Sequence, residues 1–186
     1  MDARVTALIL AGGKATRFGG LAKHAIVIEG KTILERQVAV LAPRVAEIMI
    51  SSPQPIEGYQ TVADALADGG PLAGIAAGLA AATTPWVLVV AGDMPSIAPE
   101  VIEQILERLG DDAVGLEVGG LPQPLLCALR VEAALPALAR MTGRKASRLL
   151  TDAGLAVRWI SEAEIRALDP TLRSLANVNA PGDLIH

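Results

Sequence analysis

Aromatic residues and cysteine are scarce in this chain of 186 residues. Aromatic residues make up only 2% of the sequence, which argues against stacking platforms for nucleic-acid bases. The net charge is −4, whereas domains that bind nucleic acid in general are basic. The single cysteine, Cys127, excludes an internal disulfide framework and fits a reducing cytosol. With only two histidines besides it, the chain cannot build a Cys/His metal cluster.

Long hydrophobic runs are also absent, although 52% of the residues are hydrophobic. No apolar stretch reaches the roughly 18 residues that a membrane span requires. The start, Met1-Asp2-Ala3-Arg4, leads directly into a strand-like run and shows no signal peptide. We therefore expect a cytoplasmic protein that binds neither membrane nor nucleic acid.

Short apolar strands alternate with amphipathic helices along the chain. Such alternation, with uninterrupted apolar runs like WVLVV, predicts a mostly parallel sheet covered by helices on both faces. We therefore predict a Rossmann-like, three-layer α/β/α sandwich formed by a single domain over residues 1–186. The predicted strands are Val5–Leu10, Ile48–Ile50, Trp86–Val90, Val114–Val118, Pro124–Leu129, Val157–Ile160 and Ala176–Asn179, and the predicted helices are Thr32–Leu41, Leu72–Ala82, Pro99–Leu109, Val131–Met141, Ser147–Ala153 and Glu162–Leu168. Around Gly119-Gly120 the rhythm changes to paired strands, which we interpret as an insertion within that domain.

A glycine-rich loop with three cations follows the first predicted strand. The stretch LILAGGKATRFGGLAK (Leu8–Lys23) contains Lys14, Arg17 and Lys23 but no acid. In open α/β sheets ligands bind beyond the carboxyl ends of the strands, and exposed N–H groups with nearby cations bind phosphate. The loop is not a Walker A motif, because it contains no Gly-Lys-Ser/Thr. It is not a G-x-G-x-x-G fingerprint either, because its glycines lack that spacing and the next helix begins only near Thr32. We interpret it as a long loop that wraps an anionic ligand; the alternative is an ordinary solvated turn.

Asp93 follows the most strand-like run of the sequence, in the segment AGDMP. At the end of a central strand its carboxylate would project into the crevice beside the glycine-rich loop. Mg²⁺ often takes only one or two carboxylates and completes its coordination with phosphates and water, so one aspartate suffices beside a nucleotide. We therefore expect Mg²⁺ at Asp93; the alternative is an Asx-turn or a helix cap before Pro95.

Candidates for a nucleophile or a general base are few. His186 is the last residue, His24 is interpreted as structural or solvated, and Cys127 lies in an apolar run typical of a core thiol. No Ser-His-Asp or Cys-His arrangement can be argued. A phosphate monoester that attacks is already largely deprotonated, so phosphoryl-type transfer would depend on alignment and charge neutralisation.

Five segments, taken in order, resemble the molybdenum cofactor guanylyltransferases, which belong to the nucleotidyltransferases that include sugar-nucleotide pyrophosphorylases. LAGG followed by TRFGG and Lys23 resembles the signature loop, and AGDMP resembles the metal-binding loop. Asp64 with GGPLAGIAAGL resembles the segment beside guanine. PQPLLCAL is similar to the segment that approaches the pterin, and NVNAP to a motif near the C-terminus. The resemblance covers almost the whole chain and implies a fold like that of the nucleotide-diphospho-sugar transferases.

The resemblance implies a Mg²⁺-dependent guanylyltransferase that moves GMP from GTP to the terminal phosphate of molybdopterin and releases pyrophosphate. Arg17 and Lys23 would neutralise phosphate charge and Asp93 would hold the metal, so these three are the expected catalytic residues. The expected nucleotide-binding residues are Leu10, Ala11, Gly12, Gly13, Lys23, Ser51, Asp64, Gly70, Leu72 and Asp93.

Two positions depart from the family's pattern. An acid commonly precedes the loop lysine, where this chain has Ala22, and asparagine is usual where it has Ser51. Ala22 removes either a partner for Lys23 or a second contact to the ligand. Ser51 can still accept a hydrogen bond from the base or the ribose. Both departures concern the grip on the nucleotide and not the reaction class.

Two segments are candidates for contacts to the pterin, each with a structural alternative. Asn177 and Asn179 offer amides, with stabilisation of a turn as the alternative. The run TGRKASRLL, with Arg144, Lys145 and Arg148, either holds the pterin phosphate or a partner, or is a solvated helix start.

Two other functions also stay open. A related transferase would use CTP or another phosphorylated acceptor, but such cytidylyltransferases usually read LAAG where this chain reads LAGG, and they lack GPLAG. A non-catalytic module would bind the nucleotide without turnover. Because molybdopterin is labile, the resemblance also implies transient contact with other molybdenum cofactor proteins.

Overall fold

A mixed β-sheet forms the middle of the structure, a computed structural model that describes residues 1–12, 22–63, 70–143 and 145–178. The strands are β1 (Asp2–Leu10), β2 (Val27–Ile28), β3 (Lys31–Thr32), β4 (Val45–Ser51), β5 (Gln60–Val62), β6 (Trp86–Ala91), β7 (Ala113–Val118), β8 (Leu121–Pro122), β9 (Leu126–Arg130) and β10 (Val157–Ile160). The main sheet has the order β10-β7-β9-β6-β1-β4-β5, with β8 beside β7. β2 and β3 pair as a separate hairpin.

Parallel pairs predominate in the main sheet. β1 lies between β4 and β6 and is parallel to both, β5 is parallel to β4, and β10 is parallel to β7. β9 is the exception, because it runs antiparallel between β6 and β7. The carboxyl ends of β1, β4 and β6 therefore lie side by side at one edge of the sheet.

The helices of the described residues cover both faces of the sheet. They are α1 (Ile33–Leu41), α2 (Gly70–Ala81), α3 (Pro99–Glu107), α4 (Val131–Arg140), α5 (Ser147–Thr151) and α6 (Glu162–Leu168), with 3₁₀ turns at Lys23–Ala25 and Arg173–Leu175. α1, α3 and α6 pack their buried residues with one face, and α2, α4 and α5 pack theirs with the other. The predicted three-layer α/β/α sandwich with a mostly parallel sheet is confirmed.

Side chains at the helix starts explain why two helices begin where the sequence predicts. Thr32 caps α1 and Ser161 caps α6, each in a capping box that Glu35 or Glu164 completes. α3 begins with Pro99, whose fixed φ suits a first helical turn. The late start of α1 is also confirmed, since the 3₁₀ turn and the β2–β3 hairpin precede it.

Some elements differ from the prediction. The sequence does not predict β2, β3, β5 and β8, which have only two or three residues each and are too short for a repeating pattern. The predicted strand Ala176–Asn179 is wrong over residues 176–178, which have no regular structure. Gly119 and Gly120 both have positive φ and form the turn between β7 and β8. The predicted pairing of the strands on either side of these glycines is confirmed, because β7 pairs antiparallel with β9. In the part of the chain that the structure describes, no helix combines the length and the apolar character that a membrane crossing would need.

Candidate active site

The candidate site lies at the edge of the sheet where β1, β4 and β6 end. In their register Leu10 lies opposite Ser51 on one side and opposite the last residue of β6 on the other. Beyond these ends, the Ala11 amide donates to the Ser51 carbonyl (2.8 Å) and the Gly92 amide donates to the Leu10 carbonyl (3.0 Å). The structure thus brings Leu10, Ala11 and Ser51 beside the loop that carries Asp93.

Lys23 and Asp93 form an ion pair at this edge. The Lys23 Nζ lies 2.8 Å from the Asp93 Oδ2, although 70 positions separate the two residues in the sequence. Their side chains are 23% and 20% exposed, so the pair is partly desolvated but reachable from solvent. Water and salt screen such a pair less than they screen a surface pair. The predicted cation and carboxylate therefore lie together at the end of the central strands.

The loop that carries Asp93 is fixed by contacts from several elements. The Val178 amide donates to the Asp93 carbonyl at 2.9 Å, so this residue of the segment NVNAP contacts the loop. From α1, the Gln37 Nε2 donates to the carbonyl oxygens of Ala91 (2.7 Å) and Met94 (3.0 Å). Gln37 is not among the residues that the sequence predicts for the site, although a glutamine on the buried face of a predicted helix is a signal for a polar contact.

His24 packs close to the end of β1. Burial lowers the pKa of His24, while a hydrogen bond with the Ala11 main chain partly opposes that effect. Its Nδ1 is buried and has no hydrogen-bond partner within the described ranges. The side chain is half-buried, so a structural position describes His24 better than a solvated one.

The start of the PQPLLCAL segment also reaches this edge. β9 runs antiparallel to β6, and just before β9 the Leu125 carbonyl accepts a hydrogen bond from the Ala91 amide at 2.8 Å. The following residues, Leu126–Leu129, are fully buried in the sheet. Cys127 is among them, and burial raises its pKa to about 12, which confirms the predicted core thiol.

Gly70 and Leu72 lie at the start of α2. The Leu72 side chain packs in the core beside Ile75 and Leu79, so it is the main chain here that can meet a ligand. α2 follows β5 and leads back to the start of β6, so its N-terminus faces the edge where the parallel strands end. A helix N-terminus favours anions.

The predicted site residue Gly12 follows Ala11 at the end of β1, and it is exposed.

Some of the predicted site residues lie outside the described residues: Gly13, Arg17 and Asp64, and likewise Lys14, Arg144 and Asn179. In the basic run near α5, the Arg148 Nε lies 2.5 Å from the Asp152 Oδ2. The proposed role of that run toward a phosphate stays a prediction, as do the roles of Gly13, Arg17 and Asp64.

The chain matches known proteins along nearly its whole length. Residues 7–157 match the model of the MobA-like NTP transferase domain. The molybdenum cofactor guanylyltransferase of Desulfosudis oleivorans is 33% identical, and the match covers 99% of this chain and 94% of that protein. Among solved structures, the molybdopterin-guanine dinucleotide biosynthesis protein A of Archaeoglobus fulgidus is similar at a TM-score of 0.78 and 26% identity, over 96% of this chain and 94% of that one. The 2-C-methyl-D-erythritol 4-phosphate cytidylyltransferase of Thermus thermophilus has the same fold, at a TM-score of 0.72 and 19% identity over 100% and 96% of the two chains, which confirms the predicted fold class.

Proposed function

We propose that this protein, which belongs to the family of MobA-like NTP transferase domains, is a guanylyltransferase of molybdenum cofactor synthesis. It transfers GMP from GTP to the terminal phosphate of molybdopterin. A bond forms between an oxygen of that phosphate and the α-phosphorus of GTP, and the bond from the α-phosphorus to the departing pyrophosphate breaks. Two relatives that match over most of their length support the proposal: one is named molybdenum cofactor guanylyltransferase and the other molybdopterin-guanine dinucleotide biosynthesis protein A.

The single observation that carries the proposal is the Lys23–Asp93 pair beside the end of β1. A nucleoside triphosphate needs a cation for its phosphates, and the metal that accompanies it needs a carboxylate; both groups lie 2.8 Å apart at this edge. The lysine ammonium is a compact charge on a flexible stem. An entering phosphate offers Lys23 a second anionic partner, so that the Nζ can leave Oδ2 and neutralise phosphate charge.

Asp93 fits a Mg²⁺ ion that arrives with the nucleotide. Its carboxylate supplies the hard oxygen ligands that Mg²⁺ prefers, and 20% of the side chain is open to solvent. When bound, the metal supplies positive charge to phosphate oxygens, which stabilises the departing pyrophosphate. Asp93 would hold the metal, and Lys23 would then neutralise phosphate charge in place of the carboxylate.

The acceptor supplies its own nucleophile. A phosphate monoester is largely ionised at neutral pH, so no side chain has to remove a proton from it. The residues of the site then act by alignment and by charge neutralisation. His24 has a structural role in this proposal. Burial lowers its pKa, and its contact with Ala11 supports the main chain at the end of β1.

Guanine is the proposed base because the relatives that match over nearly their whole length are named guanylyltransferases. The main chain at the start of α2, with Gly70 and Leu72, would contact it together with Ser51 and Asp64. A cytoplasmic location is proposed because a chain with one cysteine forms no internal disulfide and therefore fits a reducing compartment. Because the pterin is labile, its transfer would involve transient contact with other molybdenum cofactor proteins.

The variant Asp93→Asn tests the proposal. It keeps the shape of the side chain but removes the charge that would hold Mg²⁺ and pair with Lys23. We expect pyrophosphate release from GTP, with molybdopterin and Mg²⁺ present, to fall by about 100-fold or more, the usual cost of losing one electrostatic contact to the transition state. The matched control is Asp111→Asn, because Asp111 pairs with Arg158 at 3.0 Å, near the opposite edge of the sheet.

The outcomes separate the alternatives. Wild-type turnover in Asp93→Asn would contradict the role of Asp93. Turnover of the unmodified protein with CTP but not with GTP would replace the guanylyltransferase by the related cytidylyltransferase. Binding of GTP without any turnover would indicate a nucleotide-binding module.

A further inference from the structure

Gln37 is a polar side chain at a buried position. It lies on the inward face of α1 with Ile33, Leu34 and Leu41, and only 1% of it is exposed. A buried amide is tolerated when hydrogen bonds replace its contacts with water. The partners of Gln37 therefore indicate its role.

The Gln37 amide nitrogen joins α1 to the loop after β6. Its two hydrogen bonds, of 2.7 and 3.0 Å, go to the carbonyl oxygens of Ala91 and Met94. These residues lie on either side of Gly92 and Asp93, so one side chain holds both ends of the turn. Movement of the turn relative to α1 would break both bonds.

The Gln37 amide oxygen indicates that packing alone does not explain this residue. Its Oε1 is buried and has no hydrogen-bond partner among the residues that the structure describes. An apolar side chain of similar length would avoid that penalty. What Gln37 gives, and an apolar residue would not, is the attachment of the loop.

We propose that Gln37 is a positioning residue that holds Asp93 where its Oδ2 meets the Nζ of Lys23. This inference rests on the proposed function, in which Asp93 binds the metal that accompanies GTP. Main-chain bonds from Gly92 to Leu10 and from Val178 to Asp93 fix the loop as well. Gln37 adds a side-chain contact from the helix layer, and that contact can be removed by substitution.

The test compares Gln37→Met with Leu34→Met, which lies one turn earlier on the same buried face. Gln37→Met keeps the length of the side chain but removes both hydrogen bonds, while Leu34→Met introduces the same residue without touching them. The probe is Mn²⁺ in the presence of GTP, followed by electron paramagnetic resonance, and GTP in EDTA, followed by calorimetry. We expect Gln37→Met to weaken Mn²⁺ binding about tenfold, as loss of a contact behind a ligand does, and to leave metal-free GTP binding unchanged. Leu34→Met should match the unmodified protein in both measurements.

A crystal structure of each ligand-free variant adds a readout that is independent of metal and nucleotide. We expect the distance from Lys23 Nζ to Asp93 Oδ2 to stay near 2.8 Å in Leu34→Met and to be longer in Gln37→Met. Wild-type Mn²⁺ affinity in Gln37→Met overturns the inference. If the unmodified protein itself binds no Mn²⁺ with GTP, the proposed function fails, and the distance then decides the inference alone.

A second variant covers failure of Gln37→Met to fold. Gln37→Asn keeps the amide but is one methylene shorter, so its nitrogen falls short of the Ala91 and Met94 carbonyls. The same selective loss of Mn²⁺ binding supports the inference, and wild-type affinity overturns it.

Discussion

Gly92 lies where the loop after β6 meets the end of β1, and a side chain has no room there. A Cβ at this position would stand 2.6 Å from the Leu10 carbonyl oxygen, which belongs to the main chain and cannot rotate away. Gly92→Ala therefore has to move the loop that positions Asp93 beside Lys23. We expect a loss of about 1–3 kcal/mol in the free energy of unfolding, the usual cost of overpacking, together with lower Mg²⁺-dependent turnover. Denaturant unfolding and pyrophosphate release measure the two effects.

Gly110→Ala is the matched control for this prediction. A Cβ at Gly110 meets nothing within 4 Å, so the same substitution should leave both stability and turnover close to those of the unmodified protein. If the two alanine variants have the same stability and the same turnover, the close approach of the main chain at Gly92 is not required for either.

The sequence predicts those site residues that directly follow parallel strands, because ligands bind beyond the carboxyl ends of such strands. Lys23 and Asp93 were predicted to face one crevice because loops after parallel strands meet at one edge, and they do lie together. Gln37 escaped prediction because helical periodicity identifies a residue as buried but not the loop that it meets 54 and 57 positions away. The roles of Arg17, Gly13 and Asp64 remain predictions, since these residues lie outside the described ranges.

Among the helices, α6 depends on the hydrogen bonds at its N-terminus. The Glu164 carboxylate accepts hydrogen bonds from the Ser161 hydroxyl and amide and pairs at 2.6 Å with Arg108, the residue that follows α3. The bonds from Ser161 and the Arg108 guanidinium lower the pKa of Glu164 from 4.5 to about 2. Because the folded-state pKa lies below the unfolded value, this stabilisation is complete above pH 4.5 and is lost as the pH falls through about 2.

Glu164→Gln should therefore destabilise the protein in a pH-dependent way. Since the carboxylate is partly exposed and screened by water, we expect a loss of only about 1 kcal/mol at neutral pH. The difference from the unmodified protein should shrink as the pH falls from 4.5 toward 2, which urea unfolding at several pH values measures. Glu132→Gln is the control, because Glu132 lies in the first turn of α4, whose N-cap makes no side-chain hydrogen bond. A pH-independent difference for Glu164→Gln would contradict this account.

Element boundaries show where sequence patterns stop being informative. The helix starts at Thr32 and Pro99 were predicted because capping and proline signals are local. The first strand begins at Asp2 and not at the predicted Val5, because its polar start is held by a hydrogen bond from the Asp2 amide to the Arg44 carbonyl, which no apolar run records. The two- and three-residue strands are missed for the related reason that neighbouring strands define them.

In the whole molecule, two cores on opposite faces of the sheet support one functional edge. The helices were predicted to cover both faces, but the sequence does not reveal that β9 inserts antiparallel between β6 and β7. The apolar pattern of a buried strand is the same in both directions, and its neighbours are chosen by the connections. As a result Cys127, in β9, lies in the middle of the sheet. The neighbouring strand β6 is followed directly by the loop that carries Asp93.

Cys127 therefore reports opening of the sheet as a whole. It is the only cysteine of the chain, it is fully buried, and burial raises its pKa to about 12. Because a thiol reagent needs an exposed thiolate, we expect labelling near pH 8 to be at least about 1,000-fold slower in the native protein than in guanidinium.

GTP with Mg²⁺ at about 100 times its dissociation constant should slow labelling of Cys127 about 100-fold further, since a ligand of the native state lowers the population of the open state. Because the proposed site reads guanine, ATP at the same concentration should slow labelling much less. Fast labelling that GTP leaves unchanged would contradict this prediction. It would show that β9 opens without disrupting the site at Lys23 and Asp93, so that GTP binding does not stabilise the whole sheet.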